Sequence, residues 1–182
     1  MAPLVLASAP AGAVQEVRAI GISGHSLGVV PVNAVGRLLR ATVPIWSDSR
    51  PDKQPADFFE HVAEEDWYML SGNGFPPALY SIFKLMWFND HEPEMFRQIH
   101  KVLGTKDYIN YRLTGVMATD HSYASGCGVY DLSSRAYDDR LMAASGLDRN
   151  ILPEIVPATC VLGTLTEAAA RELGLPRTVQ VV

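Results

Sequence analysis

Apolar positions recur along this chain in two periods. Residues 17–23 (VRAIGIS) and 28–32 (GVVPV) are short apolar runs bounded by glycine, the second followed by a turn at Asn33-Ala34-Val35-Gly36, and they predict two adjacent strands. Residues 41–46 (ATVPIW) predict a third extended stretch, and Pro31 and Pro44 place the last two at an edge or bend. From Asp52 the period becomes helical, with Phe58, Phe59, Val62 and Trp67 as the buried side, until residues 71–77 (SGNGFPP) interrupt it as a loop. Leu79, Ile82, Phe83, Met86 and Trp87 then fall at the spacing of an amphipathic helix. Pro93 suits the first position of another helix, whose apolar face would be Met95, Phe96, Ile99 and Leu103.

The same reasoning carries on to the end of the chain. Tyr108, Ile109, Tyr111 and Leu113 predict an apolar helical face that Gly115 ends, and Thr119-Asp120 offers side-chain oxygens to cap the next helix. Residues 128–132 (GVYDL) read as a strand and residues 138–145 as a helix stopped by Gly146. Thr166 can cap a helix over residues 167–173 with Gly174 behind it, and residues 178–182 (TVQVV) begin a β-rich run that stops mid-pattern. Strands mixed with helices argue for an α/β fold.

Composition narrows the function classes. At 182 residues, 48% hydrophobic and 19% charged, the chain can bury a core. Its net charge is −5, and the 15 Lys and Arg are scattered without a basic run, so nothing attracts nucleic acid. The first 16 residues form a small-residue segment lacking a basic start, and their apolar run is too short for a secretory signal or a membrane span. Residues 17–182 form the domain proper. Cys127 and Cys160 lack ligand spacing and read as buried free thiols in a reducing cytoplasm. The five histidines show no metal-binding spacing, and no GxSxG elbow supports hydrolase chemistry.

Three segments carry candidate chemistry. In residues 46–50 (WSDSR), an extended backbone would align Trp46, Asp48 and Arg50 along one wall, where an indole packs the C–H face of a polyol and a carboxylate accepts from vicinal hydroxyls. On chemistry alone, a strand end with a core Trp and a surface Asp/Arg pair explains the segment better. Residues 23–28 (SGHSLG) follow a strand, and their two glycines would let backbone approach a ligand, although a tight turn serves equally. Lys84 stands beside a core-facing helical stripe, where a snorkelling lysine is the commoner role. Capping explains Asp120 and Ser122.

Several separated segments resemble the FGGY family of carbohydrate kinases, in the family's own order. AIGISGHSLGVV is similar to its strand and substrate turn, IWSDSR to its W-x-D-x-R wall, and SIFKLMWFNDHEPEMF to its signature helix. KDYINYRLTGVMATDHSYASGCGVYDL and ILPEIVPATCVLGTLTEAAARELGLP continue the match, so the resemblance runs from about Val17 to Val182. It implies the ribonuclease-H-like (actin-like ATPase) fold, here an incomplete N-terminal domain of a two-domain sugar kinase. The implied reaction moves the γ-phosphoryl group of ATP, with Mg2+, to a sugar or polyol hydroxyl, a xylulose-like ketose above all.

By the same resemblance His25, Ser26 and Leu27 occupy the substrate turn, Trp46 and Asp48 line the sugar pocket, and Tyr80 begins the approach to it. Xylulose kinases carry Gln-Met-His in the turn, and Leu79 departs from the signature. The family's Asp-x-Gly-Thr phosphate loop would precede this chain, and its general base would lie beyond Val182. The resemblance therefore assigns these residues no catalytic group, no metal and no cofactor contact, so that this stretch alone would be inactive. ATP and Mg2+ belong to the complete enzyme, with a homodimer as one arrangement of it. A non-catalytic sugar-binding or scaffold remnant is the alternative.

Overall fold

The computed structural model describes Pro10, residues 12–74 and residues 76–182. Most of the N-terminal segment 1–16, and Phe75 of the predicted loop, lie outside the described residues. The opening elements are a short helix α1 (Ala13–Glu16), β1 (Ala19–Ile20) and β2 (Val30–Val32). Helices α2 (Gln54–Phe59), α3 (Glu64–Ser71), α4 (Ser81–His91) and α5 (Pro93–Phe96) come next, then β3 (Lys101–Leu103) and α6 (Thr105–Thr114). The rest runs β4 (Ala118–Asp120), α7 (His121–Ala124), β5 (Tyr130–Asp131), β6 (Ala136–Tyr137), α8 (Asp139–Ser145), β7 (Glu154–Val156), β8 (Gly163–Thr164), α9 (Glu167–Leu173) and β9 (Gln180–Val181).

The strands pair at long range. β1 lies parallel to β9 and β9 antiparallel to β8, β4 runs parallel to β7, and β2 and β3 and the β5–β6 hairpin are antiparallel pairs. The two strands expected to be neighbours thus belong to different sheets: Ala19 pairs with Gln180, whereas Val30 pairs with Leu103. Residues 41–46 form no strand. Pro44 offers only its carbonyl, which accepts from the Val29 amide at 3.1 Å. The helix begun at Pro93 ends at Phe96, because His100 donates to the Val32 carbonyl and the next three residues join β2 as β3.

One core gathers α4 against α2, α3 and α8. Phe58, Trp67, Phe83 and Phe88 are fully buried, and Trp67 donates its indole N–H to the Gly128 carbonyl at 2.8 Å. A smaller cluster under α9 holds Leu165, Leu175 and Val181, and a third joins Val30, Val32 and Leu103 to Tyr108 and Tyr111. Helix α6 differs from its expected pattern. Its buried positions are Asp107 and Asn110, while Ile109 is 44% exposed, because the two tyrosines and Leu113 reach separate apolar clusters on either side. The stops and two of the caps follow the sequence signals: Gly115, Gly146 and Gly174 end α6, α8 and α9 in the left-handed conformation, and Asp120 and Thr166 cap α7 and α9, whereas Asp138, expected as the first helical residue, is the cap of α8.

Candidate functional site

Residues 24–28 leave β1 as an irregular loop pinned by its carbonyls. Thr105, at the start of α6, donates its hydroxyl to the His25 carbonyl at 2.9 Å. Lys84 of α4 donates to the Leu27 carbonyl at 3.2 Å, and the Tyr123 hydroxyl of α7 donates to the Gly28 carbonyl. Leu27 adopts φ of 60°, a left-handed conformation uncommon outside glycine, and its side chain packs where a Cβ on Gly126 would stand 2.7 Å from Leu27 Cδ2. The glycines of this loop serve packing: a Cβ on Gly28 would meet Thr105 Cγ2 at 2.7 Å. His25 and Ser26 are exposed, with their backbone fixed from below.

Trp46, Asp48 and Arg50 do not form an extended wall. The Asp48 amide donates to the Ile45 carbonyl at 3.0 Å, which makes the segment a turn and removes the alternation that would have aligned the three side chains. Arg50 instead grips Asp48 with both ends of its guanidinium, Nε to Oδ1 at 3.0 Å and a terminal nitrogen to Oδ2 at 2.7 Å. That hydrogen bonding holds the Asp48 carboxyl below the usual range. The guanidinium also lies 4.4 Å over the ring of Trp87, which stacks on His91. Trp46 is half exposed.

Tyr80 precedes α4 in extended conformation, packs edge-on against Trp67, and accepts the Gly74 amide on its hydroxyl at 2.9 Å. Lys84, one turn further along, is 2% exposed, so it does not snorkel. Its ammonium donates to the Leu79 carbonyl at 2.6 Å as well as to Leu27. Burial pushes it down to about 8; Asp48 pulls it up by less, and Arg50 adds a little to the lowering. The structure therefore joins Leu27 and the Leu79–Tyr80 step through one buried lysine, on which the charges of Asp48 and Arg50 also bear. The sequence did contain a signal for it, since SIFKLMWF is apolar on every side of Lys84, the mark of a helix buried all round.

A second polar cluster lies behind the loop. Lys106 bridges Asp107 at 2.5 Å and Asp120 at 2.7 Å. Burial resists ionisation of Asp120, yet Lys106 and Ser122 hold its carboxyl at about 2. Among the described residues no three His, Cys, Asp or Glu side chains are grouped so as to hold a metal ion. Cys127 is buried and Cys160 partly so, both as free thiols.

Comparison with known proteins places this geometry. Residues 9–182 match the model of the FGGY family of carbohydrate kinases, N-terminal domain. The chain is 34% identical to the xylulose kinase of Escherichia coli K12 over 161 residues, which is 88% of this chain and 32% of that enzyme. It is 31% identical to the L-fuculokinase of Salmonella typhi over 166 residues, covering 91% and 35%. The crystal structure of a xyloylose kinase from Brucella ovis superposes with a TM-score of 0.85 at 30% identity, over 98% of this chain and 36% of that one. Xylulose kinase from Rhodospirillum rubrum gives 0.81 at 33%, covering 88% and 33%. The chain spans about a third of the length of the relatives it matches, and its mixed α/β architecture is the N-terminal part of their actin-like fold. It belongs to the FGGY family of carbohydrate kinases, and it corresponds to the N-terminal domain of that family.

Proposed function

We propose that this chain supplies sugar-binding surface to an ATP-dependent kinase that phosphorylates a hydroxyl of a xylulose-like ketose. The observation that carries the reading is that Lys84 ties the pinned loop 24–28 to the Leu79–Tyr80 step while the charges of Asp48 and Arg50 bear on it, because a polyol needs several polar groups held in fixed places. Asp48, kept ionised by Arg50, accepts from sugar hydroxyls with its free lone pairs. Trp46 offers an aromatic face to C–H groups, and His25 and Ser26 present side chains from a loop whose backbone does not have to be ordered on binding. ATP and Mg2+ act in the complete kinase, which provides the phosphoryl donor and its charge neutralisation. The xylulose kinases among the relatives favour a ketopentose, and the buried or half-buried free thiols suit a cytoplasmic setting. No helix among the described residues is long and apolar enough to cross a membrane.

The test is ADP release by the protein encoded by the whole reading frame, with D-xylulose, L-fuculose, gluconate and glycerol offered in turn. D-xylulose is expected to give the highest kcat/KM. ADP release that no sugar stimulates would refute the assignment.

A further inference from the structure

We infer that Lys84 is a positioning residue: its buried ammonium locks the loop carrying His25, Ser26 and Leu27 to the Leu79–Tyr80 step, so that two sides of the sugar site keep one relative placement. The inference rests on the sugar-site reading above. Its structural basis is that one nitrogen spans two segments far apart in sequence, at 3.2 Å to the Leu27 carbonyl and 2.6 Å to the Leu79 carbonyl. Each segment departs from regular structure at that point. Leu27 sits in a left-handed conformation, and Tyr80 follows a single turn of 3-10 helix before α4 opens. The left-handed backbone of Leu27 persists only where its surroundings fix it.

Stability does not explain the lysine. Among the described residues no carboxylate lies within ion-pair distance of its nitrogen, and a charge 2% exposed opposes folding when so paired only with carbonyls. The charged groups that do bear on it, Asp48 and Arg50, stand on the turn nominated for sugar contact. A methionine would fill the same space without desolvation. An ammonium does something methionine cannot: its donors point to both carbonyls at once.

The experiment compares the protein encoded by the whole reading frame, wild type, Lys84→Met and Lys84→Arg, by hydrogen exchange, thermal melting and titration with D-xylulose. Lys84→Met is expected to melt within a few degrees of wild type. Its amides should nonetheless exchange faster in both residues 25–28 and residues 79–81, and D-xylulose should bind roughly tenfold more weakly. Lys84→Arg, which retains donors and charge, should recover part of the affinity. Exchange unchanged in either segment overturns the lock, whatever the sugar does. Faster exchange in both with unaltered affinity overturns the positioning role, and a wild-type whole-frame protein that D-xylulose does not titrate overturns the sugar-site reading itself.

Discussion

Removing the charge at Lys84 should change how stability depends on pH in a way that isolates this one group. Burial lowers the ammonium from the ordinary 10.5 to about 8, so the folded state binds it less tightly than the unfolded state does. For a base lowered in this way the penalty is fully present below about pH 8 and is relieved as the pH rises from there to about 10.5, so wild-type stability gains across that window. At about 1.4 kcal/mol for each tenfold change in affinity for the proton, the gap corresponds to about 3 kcal/mol, most of it recovered between pH 7 and pH 10. The informative quantity is the difference between wild type and Lys84→Met, in which the contribution of every other group cancels. Urea unfolding at half-unit steps of pH should show wild type gaining about 2 to 3 kcal/mol on the variant from pH 7 to pH 10. A difference flat across that range would refute the lowering itself, because it would mean that the ammonium holds its proton as tightly in the folded state as in the unfolded one.

Asp48→Ala should lower sugar-dependent ATP turnover of the whole-gene protein by about tenfold or more while leaving basal ATP hydrolysis alone; equal loss of both would remove Asp48 from the sugar pocket. Gly36→Ala should destabilise by at least about 2 kcal/mol in urea, since φ is 72° there and the new Cβ would lie 1.6 Å from the Tyr111 hydroxyl. Asp120→Asn tests the Lys106 cluster. Asp120 has a folded value of about 2 against an ordinary 3.8, so its stabilisation is present above about pH 4 and lost as pH falls toward 2. The variant should be less stable at pH 7 and lose less on acidification, and parallel acid curves would count against the pairing.

What the sequence made legible was set by how local each signal is. A cap such as Asp120, which accepts from the amides of Ser122 and Tyr123, or a stop such as Gly174, involves residues a few positions apart, and both read correctly. Strand partners are chosen across the chain: Ala19 meets Gln180 and Val32 meets Lys101, and no period within residues 17–32 encodes either choice. The burial pattern of α6 escaped for a related reason although the helix itself did not, since a face flanked by two separate apolar clusters hides its own buried carboxylate, Asp107.

The candidate site divides along the same line. The nominated residues lie near one another in sequence or in a family motif, whereas what fixes them is supplied from elsewhere: Thr105, Lys84 and Tyr123 hold the carbonyls of His25, Leu27 and Gly28, three donors from three helices. Carbonyls belong to every residue type. A loop pinned through them keeps its shape whatever side chains it carries, provided Leu27's left-handed backbone is tolerated. Under the proposed function, exposed His25 and Ser26 are then free to set which sugar binds while the donors below set where it binds. Exchanging His25 and Ser26 for Gln and Met should therefore change sugar preference with little change in exchange at residues 25–28. Loosened exchange there would show that the turn residues build the loop as well as decorate it.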